Sequence, residues 1–63
     1  MATKAEITSD YIIKTVAPVF NKKGYSGTSL VDITKATGLT KGAIYGNFRD
    51  KNELAVKAFV HNI

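Results

Sequence analysis

Lys41, Tyr45 and Asn47 lie close together in the chain, and their side chains suit recognition of anionic and polar groups more than the making of bonds. They supply a cation, a hydroxyl on a rigid ring, and an amide that both donates and accepts. Between them stand Gly42, Ala43 and Gly46, which have almost no side chain to offer. At ~100° per residue, a short helix here places Ile44 and Phe48 on one side, with Leu39 packing beneath its entry, and Gly42, Ala43 and Gly46 on the other. That outer side is bare. Two glycines in so short a helix cost roughly 1 kcal/mol each relative to alanine. A helix that served only as structure would have no use for the penalty, whereas close approach of a partner accounts for it. Thr40 can cap this helix by accepting from an N–H left free in its first turn, and Asp50 can open the next helix in the same way.

Against a nucleic-acid duplex, each of these residues has a role and a plainer alternative. Lys41 can reach guanine O6 or N7, or a phosphate. Gly42 and Ala43 offer closeness, for example to a thymine methyl. Asn47 either bonds to a phosphate or caps the short helix. Lys51 stands in the first turn of the following helix, where a cation opposes the helix dipole. An anion nearby would relieve that conflict, and the same helix start has N–H groups for a phosphate; a merely solvated lysine is the alternative. Thr28 and Ser29 read first as caps, and their hydroxyls or N–H groups can also meet phosphate. The candidate contact set is therefore Thr28, Ser29, Thr40, Lys41, Gly42, Ala43, Tyr45, Asn47 and Lys51, while Lys22, Lys23, Lys35 and Lys57 read as solvated surface.

Composition narrows the function classes. A chain of 63 residues makes one small domain, which buries only about 60% of the surface exposed on unfolding. The formal charge of +4 suits a polyanionic partner, because each lysine near a phosphate releases condensed counterions. Many basic faces are simply solvated, so position decides. There is no cysteine, which excludes disulfides and thiolate metal sites, and the single histidine, His61, cannot hold zinc alone. His61 also has no carboxylate, serine or ligand in helical register, and it reads as a surface or interface residue. Gly24-Tyr-Ser-Gly27 and Gly38-Leu-Thr-Lys-Gly42 are glycine-rich, yet neither leads into the Gly-Lys-Ser/Thr of a phosphate loop. No enzyme site and no cofactor site is visible. No apolar run approaches the ~20 residues of a membrane span, and the N-terminal Met-Ala-Thr-Lys-Ala-Glu-Ile lacks a signal peptide's apolar stretch. A cytoplasmic protein is expected.

The elements that position these residues read as helices throughout. Met1 to Glu6 is a polar, frayed lead-in. From Ile7 to Lys23, Ile13, Val16, Ala17 and Phe20 recur at helical spacing, with Lys22 and Lys23 suiting the last turn and Gly24 able to end it in a left-handed conformation. Pro18 inside this helix predicts a kink; a loop splitting two shorter helices at Ala17 is the alternative. Tyr25-Ser26-Gly27-Thr28 is a turn. Ser29 and Asp32 then fit a capping box, and Leu30, Ile33 and Ala36 form an inward stripe before Thr37 and Gly38. Gly38-Leu39-Thr40 is the tight joint of a helix-turn-helix whose second helix is free to enter a major groove. A last helix opens at Asp50, with Glu53 as a second capping partner. Its apolar residues, Leu54, Ala55, Val56, Ala58, Phe59, Val60 and Ile63, cover more than one side, which suggests a longer helix with neighbours on two faces. The expected ranges are about 7–23, 29–37, 40–47 and 50–63.

Taken together, Phe20-Asn-Lys-Lys-Gly24-Tyr25, Thr28-Ser29-Leu-Val-Asp32-Ile33, Gly38-Leu39-Thr40-Lys41-Gly42 and Ile44-Tyr45-Gly-Asn-Phe48-Arg-Asp-Lys51-Asn-Glu-Leu54 resemble the N-terminal domain of TetR-family transcriptional regulators. Several motifs in order at the right spacing are more specific than any one alone. The resemblance spans roughly residues 10 to 60. It implies an all-α, homeodomain-like three-helix bundle that binds double-stranded DNA, with a fourth helix leading into a larger helical domain that dimerises and binds a small effector. None of that second domain lies within residues 1–63. Tyr45 is similar in place to the family residue that bonds a backbone phosphate, with a core-edge aromatic as the plainer alternative. Thr34, Gly46, Asn47 and Pro18 depart from the family's usual residues, so the operator does not follow from a family average. The expected function is a homodimeric, ligand-responsive regulator, most often a repressor, with its third helices in successive major grooves about 34–36 Å apart on a near-palindromic site. A helix-turn-helix that docks a recombinase-type enzyme on DNA is the first alternative, and a protein-interaction bundle with an incidental basic face is the second.

Overall fold

The computed structural model describes residues 3–63, which form four helices: α1 (Lys4–Gly27), α2 (Leu30–Thr37), α3 (Lys41–Asn47) and α4 (Lys51–His61). Among the described residues there is no strand. The fold is all-α, and α2 and α3 form a helix-turn-helix. Helix α1 touches each of the other three and packs most extensively on α4.

α1 begins earlier than apolar periodicity suggests. Met1 and Ala2 lie outside the described residues, but Thr3 is an N-cap whose Oγ1 accepts from the Glu6 N–H at 3.1 Å. Glu6 lies in the first turn, where a carboxylate suits the positive end of the dipole. The expected lead-in is therefore helix from Lys4 onward. The backbone stays helical through Pro18, and the only interruption is at Gly24. Pro18 and Lys14 are both exposed, on the side of the helix where a carbonyl without its N–H partner can turn to water. Gly24 has a positive φ, as its role as a stop requires, but with φ 74° and ψ 174° it is extended rather than left-handed helical. That region is nearly closed to side-chain-bearing residues.

The core is drawn from all four helices. Ile12, Val16, Ala17 and Phe20 of α1, Ile33 of α2, Ile44 of α3, Phe48, and Leu54, Ala55 and Ala58 of α4 are buried, with Ile13 and Leu39 packed at its edge. Ile12 is thus the innermost residue of its turn and Ile13 only half-buried. In α2, Ala36 is exposed and Thr37 is buried in its place, which corrects the expected stripe of Leu30, Ile33 and Ala36. A polar residue can occupy that place because all its groups are used. The Thr37 hydroxyl donates to the Ile33 carbonyl at 2.9 Å and accepts from the Leu39 N–H at 3.2 Å. The Thr37 carbonyl accepts from the Tyr11 hydroxyl at 2.8 Å. Gly38 then turns the chain with φ 71° and ψ 12°, a left-handed cap.

Each of the last three helices opens on a side-chain cap. Ser29 and Asp32 bond reciprocally, at 3.1 Å and 2.9 Å. Thr40 Oγ1 accepts from Ala43 N–H at 3.1 Å, and Asp50 Oδ1 accepts from Glu53 N–H at 2.9 Å. Glu53 does not return the bond to Asp50; its carboxylate accepts from the Arg49 N–H at 3.2 Å and pairs with the Arg49 guanidinium at 3.4 Å. At the other end of α4, the Asn62 side-chain amide donates to the Ala17 carbonyl at 2.8 Å. Part of the apolar surface expected of this helix remains uncovered: Val56, Phe59, Val60 and Ile63 are exposed, although Phe59 lies 5.7 Å from the Phe20 ring between centroids.

Gly24→Ala should lower stability by about 1–3 kcal/mol in chemical denaturation, whereas Gly46→Ala, whose added methyl meets nothing within 4 Å, should raise it by up to about 1 kcal/mol. The Asp32 carboxyl is lowered from 3.8 to about 2 by the Ser29 N–H, then the Lys23 ammonium, then the Ser29 hydroxyl. A depressed folded-state value adds stability above the unfolded value of 3.8 and loses it as pH falls through about 2. The melting temperature of Asp32→Asn should therefore lie below that of wild type at neutral pH, with the gap closing over that acidic window.

Candidate nucleic-acid interface

The turn after Thr37 sets α3 against the core by two side chains, Ile44 at 1% and Phe48 at 2% exposure. Everything on the far side of α3 follows from that anchoring. Thr40, Lys41, Gly42, Tyr45 and Gly46 are exposed together, and Ala43 is half-buried beside them. A Cβ at Gly46 would meet nothing within 4 Å, and one at Gly42 only the Thr40 hydroxyl at 3.9 Å. Neither glycine is required by its neighbours in the fold. The outer face of α3 is therefore smooth because of its sequence alone, with the Lys41 ammonium and the Tyr45 ring at its margins.

The other expected contact residues divide. Ser29 is exposed at the start of α2, its oxygen accepting from Asp32 N–H. Thr28 is different. It is fully buried, its hydroxyl donates to the Gly24 carbonyl at 2.7 Å, and its N–H donates to the Tyr25 carbonyl at 3.3 Å, so neither group faces outward to meet a phosphate. Thr28 closes the turn. Asn47 is half-buried, and its amide is engaged at both ends: Nδ2 donates to the Ala43 carbonyl at 2.8 Å, and Oδ1 accepts from the Ser9 hydroxyl at 3.3 Å. It ties the end of α3 to α1, and of its two expected uses the local one is occupied.

Lys51 lies half-buried with its Nζ 4.4 Å from the centroid of the Tyr25 ring. An aromatic face therefore offsets the unfavourable position of this cation in the first turn of α4. Sequence reasoning took Tyr25 as part of a turn and of the family motif, whereas Tyr25 to Gly27 are the helical end of α1, and no local spacing links Tyr25 to Lys51. Lys23, expected to be solvated, pairs with Asp32 at 3.1 Å and joins the end of α1 to the start of α2. Lys57 Nζ stands 5.8 Å from the Phe48 ring centroid. His61 is exposed in the last turn of α4. A recess of about 450 Å³ is lined by Gly46 and Asn47 together with Glu6, Asp10 and Lys57, so its two carboxylates outnumber its one cation. Among the described residues no group of three or more His, Cys, Asp or Glu could hold a metal ion, and no helix is long and apolar enough to cross a membrane.

This arrangement, an exposed short helix following a tight turn, recurs in proteins of known class. Residues 12–58 match the bacterial regulatory proteins of the tetR family. The HTH-type transcriptional regulator AcrR of Shigella flexneri is 43% identical over 51 residues, covering 81% of this chain and 24% of that protein. The icaADBC biofilm operon's HTH-type negative transcriptional regulator IcaR, from Staphylococcus epidermidis, is 37% identical over 49 residues, covering 78% of this chain and 26% of that one. The crystal structure of a TetR-family transcriptional regulator from Cytophaga hutchinsonii superposes with a TM-score of 0.97 at 53% identity, covering 98% of this chain and 31% of that one. The chain thus spans about a quarter of the length of the curated relatives it matches. With sequence and fold in agreement over nearly all of its residues, the chain belongs to the tetR family of bacterial regulatory proteins.

Proposed function

We propose that the chain is the DNA-binding part of a transcriptional regulator, with α3 in the major groove and Lys41, Tyr45 and Lys51 directed to the duplex. One observation carries this reading: the exposed face of α3 is built from Gly42 and Gly46, which no neighbour in the fold demands, while Ile44 and Phe48 hold the helix from behind. The names of AcrR and IcaR support it, and the word negative in the latter supports repression. Lys41 reads a base edge or holds a phosphate, Tyr45 offers its hydroxyl to a backbone phosphate, and Ser29 and Thr40 supply exposed polar groups beside them. Ala43 adds closeness at the margin of the same face. The role is binding rather than catalysis, and the recombinase-type alternative is the less favoured, because the matched relatives are named as regulators.

The same proposal includes a further domain that dimerises and takes a small effector, a near-palindromic operator with half-sites about 34–36 Å apart, and action in the cytoplasm. Effector binding would shift the population between two dimer shapes, only one of which spans both grooves.

Selection of duplexes from a random-sequence pool, followed by affinity measurement at several salt concentrations, tests the core of this reading. A preferred sequence should emerge, and affinity should fall as salt rises; equal binding to all sequences, or affinity indifferent to salt, would overturn it. Gly46→Leu should keep the fold yet weaken specific binding by about five- to a hundredfold, the equivalent of overpacking a close contact by about 1–3 kcal/mol. Tyr45→Phe should weaken binding to all sequences alike. Lys41→Ala should relax preference at one base pair, at a cost of about 1–3 kcal/mol for the preferred site.

A further inference from the structure

We infer that Tyr25 is a positioning residue for DNA binding, acting through Lys51: its ring holds the Lys51 ammonium at the start of α4, ready for a backbone phosphate. The inference rests on the proposed DNA-binding role of Lys51 and adds a residue outside the contact set. Three observations support it. The Lys51 Nζ sits 4.4 Å from the centroid of the Tyr25 ring, within the range of a cation–π contact. Lys51 is half-buried, so its long stem is already confined. Among the described residues the ion pairs are Lys23 with Asp32 and Arg49 with Glu53, and Lys51 is in neither.

The difference between a ring and a carboxylate as the holding group decides the consequence. A carboxylate would neutralise the ammonium and would have to be displaced by an incoming phosphate. An aromatic face fixes the ammonium through its quadrupole and leaves the full charge, with N–H donors directed away from the ring. A lysine stem free in solution loses rotamer freedom when it binds, and a stem held beforehand loses less. Tyr25 is itself 43% exposed and lies in the last residues of α1, beyond the Gly24 break, with its ring against the start of α4.

The test is a double-mutant cycle with the full chain and the duplex that wild type selects from a random pool, each variant's fold being checked by its thermal melt. Tyr25→Leu should lower affinity about two- to fivefold, the range of an exposed cation–π contact, and leave the salt dependence unchanged. Tyr25→Phe, which keeps the ring, should match wild type. Lys51→Ala should lower affinity and reduce the salt slope by about one. In the Lys51→Ala background, Tyr25→Leu should have no further effect. An equal loss from Tyr25→Leu in both backgrounds, a loss from Tyr25→Phe, or no loss from Tyr25→Leu alone would overturn the positioning role while leaving the Lys51 contact standing. A Lys51→Ala variant with wild-type affinity and slope would remove the contact itself, and the inference with it.

Discussion

A helix as short as α3 cannot persist by itself, because nucleating a helix fixes several residues for each hydrogen bond gained. Its two glycines make matters worse. What keeps it in place is the burial of Ile44 and Phe48 against the core, at 1% and 2% exposure. Fully burying side chains of this size contributes roughly 1.5–3 kcal/mol each. The rest of the molecule serves that attachment. Helix α1 carries Ile12, Val16, Ala17 and Phe20 into the shared core, and α4 closes it with Leu54, Ala55 and Ala58. Stability is concentrated on one side of α3 so that the other side can be left without side chains.

Direction also has to be fixed, and here polar groups act where apolar ones cannot. Thr37 is buried at the joint between α2 and α3, with its hydroxyl shared between the Ile33 carbonyl and the Leu39 N–H. The Tyr11 hydroxyl reaches the same residue from α1. A purely apolar joint would be free to slide, whereas these bonds have set lengths and angles. Asn47 and Ser9 do the same at the far end of α3. The exposed helix is thus pinned at both ends and packed in the middle, which allows a flat face to be presented at one angle to a partner.

The parts of this design that were legible in the sequence are those written within a few residues. The caps at Ser29, Thr40 and Asp50 depend on an oxygen and an N–H three residues apart, and the break at Gly24 and the stop at Gly38 depend on single residues. The bare face of α3 was legible because helical angle alone separates Gly42 and Gly46 from Ile44 and Phe48. Thr3 and Glu6 spelled a start as plainly as Ser29 and Asp32, but weight on the apolar pattern hid it. Side chains whose direction is set by distant elements were not legible. Whether Thr28 faced a phosphate or its own turn, whether Asn47 faced outward or toward Ser9, and whether the Lys51 stem stood free in solvent or against the Tyr25 ring all depended on how the helices pack. Helical period likewise could not choose between Ile12 and Ile13 as the innermost residue, since both lie near the same stripe.

The bond from the Asn62 amide to the Ala17 carbonyl is small, yet it joins residues 45 apart in the chain. It laces the far end of α4 to the waist of α1, the helix on which α3 is also fastened through Ser9. Helix α1 is thereby the common mount of the other two, tied to α4 through the core and at its far end, and to α3 through Ser9.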